Sequence, residues 1–275
     1  MTEHRASAHS RCARRAAPTF GWSHTRQRTL DACARRYYWA YYAGHNGWER
    51  GAPAPARLAW TLKHLTTYAL ALGATLHEQA QRVARAARDG HPPPTYHALR
   101  ASAAAALNAL YTRSNDRAAF LAAPARHAIT VDAYYGRRPA SALFERLRDK
   151  LGRCLANLLD QPLWDELAGL PAGAVHAVDA MATVPVDGVP VYAVPDLVFR
   201  ALPTRWVVVD WKSGEDDGAA AQLAVYALAL RDGLGLDACE YEGRVVRLDT
   251  GRTEVVQLMS DDLDAARRRL HAGVT

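Results

Sequence analysis

The chain has 275 residues, 49% of them hydrophobic and 23% charged, which is ample for a sizeable core and is neither a disordered nor a membrane-embedded composition. The formal net charge of +6 favours polyanionic partners but specifies no chemistry. Cysteines at 12, 33, 154 and 239 make no CxxC pair and no zinc spacing, so a reduced, cytoplasmic setting is expected rather than a disulfide framework.

Residues 1–20 read as a disordered basic arm carrying Arg5, Arg11, Arg14 and Arg15. They contain no apolar run, so no secretory signal is expected. Ser23 is an N-cap candidate for a helix over 25–43, with Leu30, Cys33, Tyr37 and Tyr41 on one face. A loop through Gly44, Gly47 and Gly51-Ala-Pro-Ala-Pro55 follows. A long helix is predicted from 56 to 88, with Leu58, Leu62, Leu65, Leu72, Leu76 and Val83 as its apolar stripe. Lys63 and His64 keep its most apolar stretch from being a membrane span. After the break at 91–94, helices are predicted over 96–112 and 140–158, with 113–139 ambiguous.

The texture changes near Pro171. Residues 174–186 and 189–201 read as strands joined by an Asp187-Gly188 hairpin turn, and Trp206-Val-Val-Val-Asp-Trp211 as a short buried strand. A turn over 214–218, a helix over 219–231, a hairpin of 240–248 with 253–258, and a terminal helix over 261–271 complete the chain. Helices followed by strands predict an α+β or mixed α/β fold in one unit, helical over 21–170 and sheet-built over 171–275.

Asp210 and Lys212 are two apart on a strand and share a face. A meander sets Asp196, of Val194-Pro195-Asp196, beside them. Two carboxylates and an ammonium suit metal-assisted phosphodiester hydrolysis: hard oxygens hold Mg²⁺ or Mn²⁺ and the amine acts on water or phosphate. The carbonyl of Trp211, between them, is a further ligand candidate. Alone, Asp-x-Lys is also what a strand end entering a turn carries. Of 34 basic residues only Lys63, Lys150 and Lys212 are Lys, so each is expected to occupy a position where Arg does not serve.

Gln222 and Tyr226 share a helix face, as half-polar helix surfaces often do. His77 lies off the Leu stripe, one turn after Gly73. It reads as a metal ligand or as an ordinary core or surface histidine. Arg35 and Arg36, interleaved with Tyr37, Tyr38, Trp39 and Trp48, are able to line a single-strand path by stacking and charge. The preferred reading puts most of these rings in the core, with the arginines solvated.

In order, Ser23 through Cys33-Ala34-Arg35-Arg36-Tyr37-Tyr38-Trp39, Gly73 with His77, Pro195-Asp196, Asp210 with Lys212, and Gln222 with Tyr226 resemble the RecB-like branch of the PD-(D/E)xK nuclease superfamily. That branch includes the RecB and AddB nuclease domains and the exonuclease of CRISPR adaptation modules. The resemblance covers about residues 20 to 250. It implies a restriction-endonuclease-like core with a mixed central sheet flanked by helices. It also implies a DNA nuclease of repair, recombination or defence in which His77, Asp196 and Asp210 bind metal and Lys212 is catalytic. Gln222 and Tyr226 would border the site and contact DNA phosphate or the catalytic Lys, with Arg35 and Arg36 as further substrate-binding residues.

Ala34 departs from the proline common in the family. Only Cys239 follows the core where cluster-bearing members have three cysteines, so no iron–sulfur cluster is expected and Cys33 is expected to be buried. No Gly-rich phosphate loop is present, so a helicase or other repair or defence subunit would be a separate chain. The competing expectation is a catalytically silent nucleic-acid-binding module, or a subunit active only with partners.

Overall fold

A computed structural model describes residues 18–180, 182–214, 218–236 and 240–274. Most of the expected basic arm (residues 1–17), and Cys239, lie outside the described residues.

Ser23 caps α1 (His24–Ala32), its hydroxyl accepting from the Arg26 amide at 3.2 Å. The single helix predicted over 25–43 is instead interrupted at Cys33, whose backbone is extended (φ −171°, ψ 112°). Cys33 Sγ accepts from the Arg36 amide at 3.4 Å and so caps α2 (Ala34–Tyr38), which runs on into a π-helical turn, Trp39–Ala43. Cys33 is exposed, not buried as expected: its sulfur caps α2 and does not pack into either core.

The long helix predicted over 56–88 is also two helices, α3 (Ala54–Lys63) and α4 (Tyr68–Arg88). Between them β1 (Leu65–Thr66) pairs in parallel with β2 (Ile129–Thr130), and the Thr67 hydroxyl caps α4 by accepting from the Leu70 amide at 3.2 Å. The leucine periodicity runs through this break, so the stripe hid it. Leu58, 53% exposed, faces solvent on a different helix from Leu72 and Leu76. α5 (Tyr96–Arg113), α6 (Arg117–Ala122), α7 (Val131–Tyr134), α8 (Ser141–Leu159) and α9 (Leu163–Ala168) complete the helical half.

Both long strands predicted after Pro171 are divided. β3 (Val175–Val178) and β4 (Ala182–Val186) replace the first, and β5 (Val189–Ala193) and β6 (Leu197–Leu202) the second. The hairpin turn is as expected: Asp187 and Gly188 both have positive φ (49° and 79°), the twist that joins Val186 to Val189. The divisions lie side by side. Asp179 adopts φ 48° and donates its amide to the Asp196 carbonyl at 2.9 Å, while Pro195 has no N–H to offer a ladder. β4 and β5 thus peel away as their own hairpin.

β7 (Arg205–Lys212), α10 (Ala219–Leu228) with a π-helical turn over Ala229–Gly233, β8 (Glu240–Arg247), β9 (Arg252–Leu258) and α11 (Ser260–Ala272) follow. The central sheet has the order β3-β6-β7-β8-β9. It is antiparallel except for β7 and β8, which are parallel through the α10 crossover. Val207, Val209 and Trp211 of β7 pack under α4, α5, α8 and α9, and Val208 packs under α10 and α11, so both faces of β7 are covered. The fold is a mixed sheet flanked by helices. No described helix is long and apolar enough to cross a membrane.

Candidate active site

The β6–β7 register sets Leu197 opposite Val209. One step outward, Asp196 and Asp210 reach the same end of the sheet, Asp196 at the bend before β6 rather than within a strand as predicted. Both are buried, at 6% and 3% exposure. Asp196 Oδ2 accepts from the Trp211 amide at 2.7 Å, and its Oδ1 lies 3.2 Å from His77 Nδ1. α4 delivers that imidazole. It comes close because a Cβ on Gly73 would stand only 3.3 Å from Ser213 Oγ, just beyond Lys212.

Lys212 Nζ is 2.9 Å from Asp210 Oδ2 and donates to Gln222 Oε1 at 3.0 Å. Gln222 Nε2 in turn donates to the Tyr226 hydroxyl at 2.5 Å. The helix pair Gln222 and Tyr226 thus holds the amine from the α10 side. Trp211 contributes its backbone amide here, while its indole packs on Trp164 beneath the opposite face of the sheet (centroids 5.6 Å apart). Arg35 and Arg36 stand exposed on α2, outside this hydrogen-bonded cluster.

The electrostatics follow from two acids in one buried corner. Burial and then the charge of Asp196 push the Asp210 carboxyl up to about 6, with Lys212 and His77 opposing. Burial works against a charged His77 ring, but the Asp196 hydrogen bond and charge, with Asp210 behind, outweigh it and raise its pKa. Burial, then the Asp210 charge, raises the Tyr226 phenol, which keeps it a neutral donor and acceptor.

The residues suit a divalent cation. Asp210 Oδ2 is buried, and its charge partner is the Lys212 ammonium at 2.9 Å, an ion pair rather than a full set of hydrogen bonds. Asp, Asp and His also form the oxygen-and-imidazole set that such ions accept. Among the described residues no three acidic, His or Cys side chains are placed so that they could together hold a metal ion. His77, with 33% of its side chain exposed, is the open side of the cluster.

Two groups of basic side chains near the cluster were not among the predicted site residues. Lys150 of α8 lies beside the turn after Lys212, its Nζ 4.0 Å from where a Gly214 Cβ would be. Arg28 and His24 of α1 flank Gly218 at the start of α10, their nitrogens 3.1 Å from the position of its Cβ. The scarcity of Lys was a signal for the first. Nothing in the sequence pointed to the second, because α1 meets α10 only through the tertiary fold.

No curated protein matches the chain. The family model of the PD-(D/E)XK nuclease superfamily matches residues 21–274, which take in His77, Asp196, Asp210, Lys212, Gln222 and Tyr226, and the chain belongs to that superfamily.

Proposed function

We propose that this chain is a Mg²⁺- or Mn²⁺-dependent deoxyribonuclease of the RecB-like branch, with residues 21–275 acting as one domain in repair, recombination or defence. One observation carries the reading. Two buried carboxylates and a lysine amine, from the end of β7 and the bend before β6, converge at one sheet end, with His77 opening the cluster to solvent.

In this reading Asp196, Asp210, His77 and the Trp211 carbonyl hold the cation. A bound divalent ion supplies positive charge to the phosphate and lowers the pKa of its water. Lys212, held between Asp210 and Gln222, orients the attacking water and offsets charge growing on the phosphate oxygens. Gln222 and Tyr226 fix the direction of the amine, so both are positioning residues. Arg35 and Arg36 contact the nucleic-acid backbone. A cluster-free domain fits the cysteines described: Cys154 is sealed in the apolar core and Cys33 is a helix cap.

The test is cleavage of single- and double-stranded DNA with Mg²⁺, with Mn²⁺ and with chelator, using circular and end-labelled linear substrates in parallel. Lys212→Ala and Asp210→Ala are expected to abolish cutting, and Gln222→Ala to slow it roughly 10–100-fold, as loss of an orienting hydrogen bond does around metal sites. Cleavage by either of the first two variants at the parental rate overturns the assignment.

A further inference from the structure

Away from the cluster, residues 34–64 combine aromatic rings with an excess of basic side chains. This stretch holds three of the chain's seven tryptophans and five Arg or Lys (Arg35, Arg36, Arg50, Arg57, Lys63) against one acid, Glu49. The rings divide into two rows. Tyr37 and Tyr41 are half-buried and face each other at 5.1 Å, and the Arg26 guanidinium sits 4.7 Å over the Tyr41 ring.

The outer row has no such cover. Tyr38 is 54% exposed, Trp39 44% and Trp48 55%. Tyr38 and Trp39 meet edge-on at 5.7 Å, and His45, Trp48, Trp60 and His64 form a second run, with successive ring centroids 5.7, 6.4 and 4.7 Å apart. The scaffold beneath is closely packed. A Cβ on Gly47 would stand 2.5 Å from the Ala56 carbonyl and from Trp60 Cβ, so only glycine lets the loop lie against α3.

A core explanation does not fit rings left this open, and a purely apolar protein partner does not fit Arg35 and Arg36, exposed on the same short helix as Tyr38. Exposed aromatic faces beside a surplus of arginine match the chemistry of unpaired nucleobases on a phosphate backbone. Along the chain, the ridge is joined to elements that meet the candidate active site. α1, which leads into α2, flanks the start of α10 through His24 and Arg28, and α3 leads through β1 into α4, the helix of His77.

We infer that Tyr38, Trp39 and Trp48, flanked by Arg35 and Arg36, form a stacking platform for the unpaired bases of a nucleic-acid strand entering the site. This deepens the nuclease reading and rests on it for its function. Paired bases present no free faces, so the platform discriminates for single-stranded ends or tails.

The experiment measures binding of Lys212→Ala protein, without divalent metal, to a single-stranded homopolymer of DNA or RNA and to a blunt duplex. Combining Trp39→Ala with Trp48→Ala is expected to weaken single-strand binding at least roughly ten-fold and to spare duplex binding, as loss of base stacking does. Trp39→Phe with Trp48→Phe, which keeps the rings, retains most of the affinity. Replacing Arg35 and Arg36 by Ala makes single-strand binding less sensitive to salt, by about 0.7 in log–log slope for each phosphate that these side chains neutralise.

Unchanged single-strand affinity in the Ala double variant overturns the inference, as does equal loss on duplex or a Phe variant as weak as the Ala one. A parental dimer that the Ala variant dissolves also overturns it and makes the ridge a protein interface. If the parental chain cuts no nucleic acid, the nuclease reading falls, while this metal-free comparison still decides the platform.

Discussion

At the scale of single residues, the candidate site is a place where stability is given up. Asp210 is ionised at neutral pH only against burial and the neighbouring Asp196 charge, which raise its pKa from the usual 3.8 to about 6. A raised carboxyl pKa means that the folded state holds its proton more tightly than the unfolded chain. Its favourable contribution is complete below about pH 4 and is lost as pH rises through about 6. Above that, the ionised group costs the metal-free fold on the order of 2–3 kcal/mol. Asp210→Asn, neutral and of the same shape, is therefore expected to unfold at higher denaturant concentration than the parent at pH 8 without metal. The gap should close near pH 4. Mn²⁺ should raise the melting temperature of the parent and leave Asp210→Asn nearly unmoved. A variant less stable than the parent at pH 8 would remove the claim that Asp210 is held under strain.

At the scale of elements, the breaks matter more than the helices and strands. Cys33 ends one helix and starts another, Thr67 starts α4, and Pro195 with Asp179 splits both strands that precede the site. At Cys33 and Thr67 a side-chain sulfur or hydroxyl accepts from a helix-start amide, whereas at Pro195 the missing N–H withholds a donor that a continuous ladder would need. The two described cysteines show the consequence. Cys33 Sγ is exposed at a helix start, whereas Cys154 is buried in the core of α8, where burial, with Asp249 nearby, pushes its thiol up to about 11 despite Lys150. A maleimide reagent at pH 7.5 is expected to modify Cys33 within minutes and Cys154 only on unfolding, read by peptide mass mapping. Rapid labelling of Cys154 in the folded chain would contradict the core packing of α8 against the sheet.

At the scale of the whole molecule, the sheet end and its acids depend on what lies beneath them. Trp211 is fully buried between Asp210 and Lys212 in sequence but on the opposite face, stacked on Trp164 with Val207 and Val209 beside it. It anchors β7 to the helical half, so the strand cannot slip and turn the acids inward. Trp211→Ala is expected to cost about 3–5 kcal/mol, a large part of a typical domain's stability. A urea midpoint within 0.3 M of the parent, roughly 0.5 kcal/mol at an ordinary slope, would show that the anchor lies elsewhere.

Much of this was legible in the sequence because it depends on local periodicity. Asp210 and Lys212 share a face by the two-residue repeat of a strand, Gln222 and Tyr226 by the four-residue spacing of a helix, and Asp187-Gly188 turns because positive φ is cheap there. The ordered spacing of His77, the two acids and the lysine also carried the family. Other features were decided only by the tertiary fold: the chain breaks at Cys33 and Thr67, the burial of Asp210, the exposure of Cys33, Trp39 and Trp48, and the approach of Lys150 and Arg28 to the site. A hydrophobic stripe states that a face will be covered but not by which element or for how long. The segments that pair with Leu65–Thr66 ahead of α4 or bring His77 to Asp196 lie tens to more than a hundred residues away.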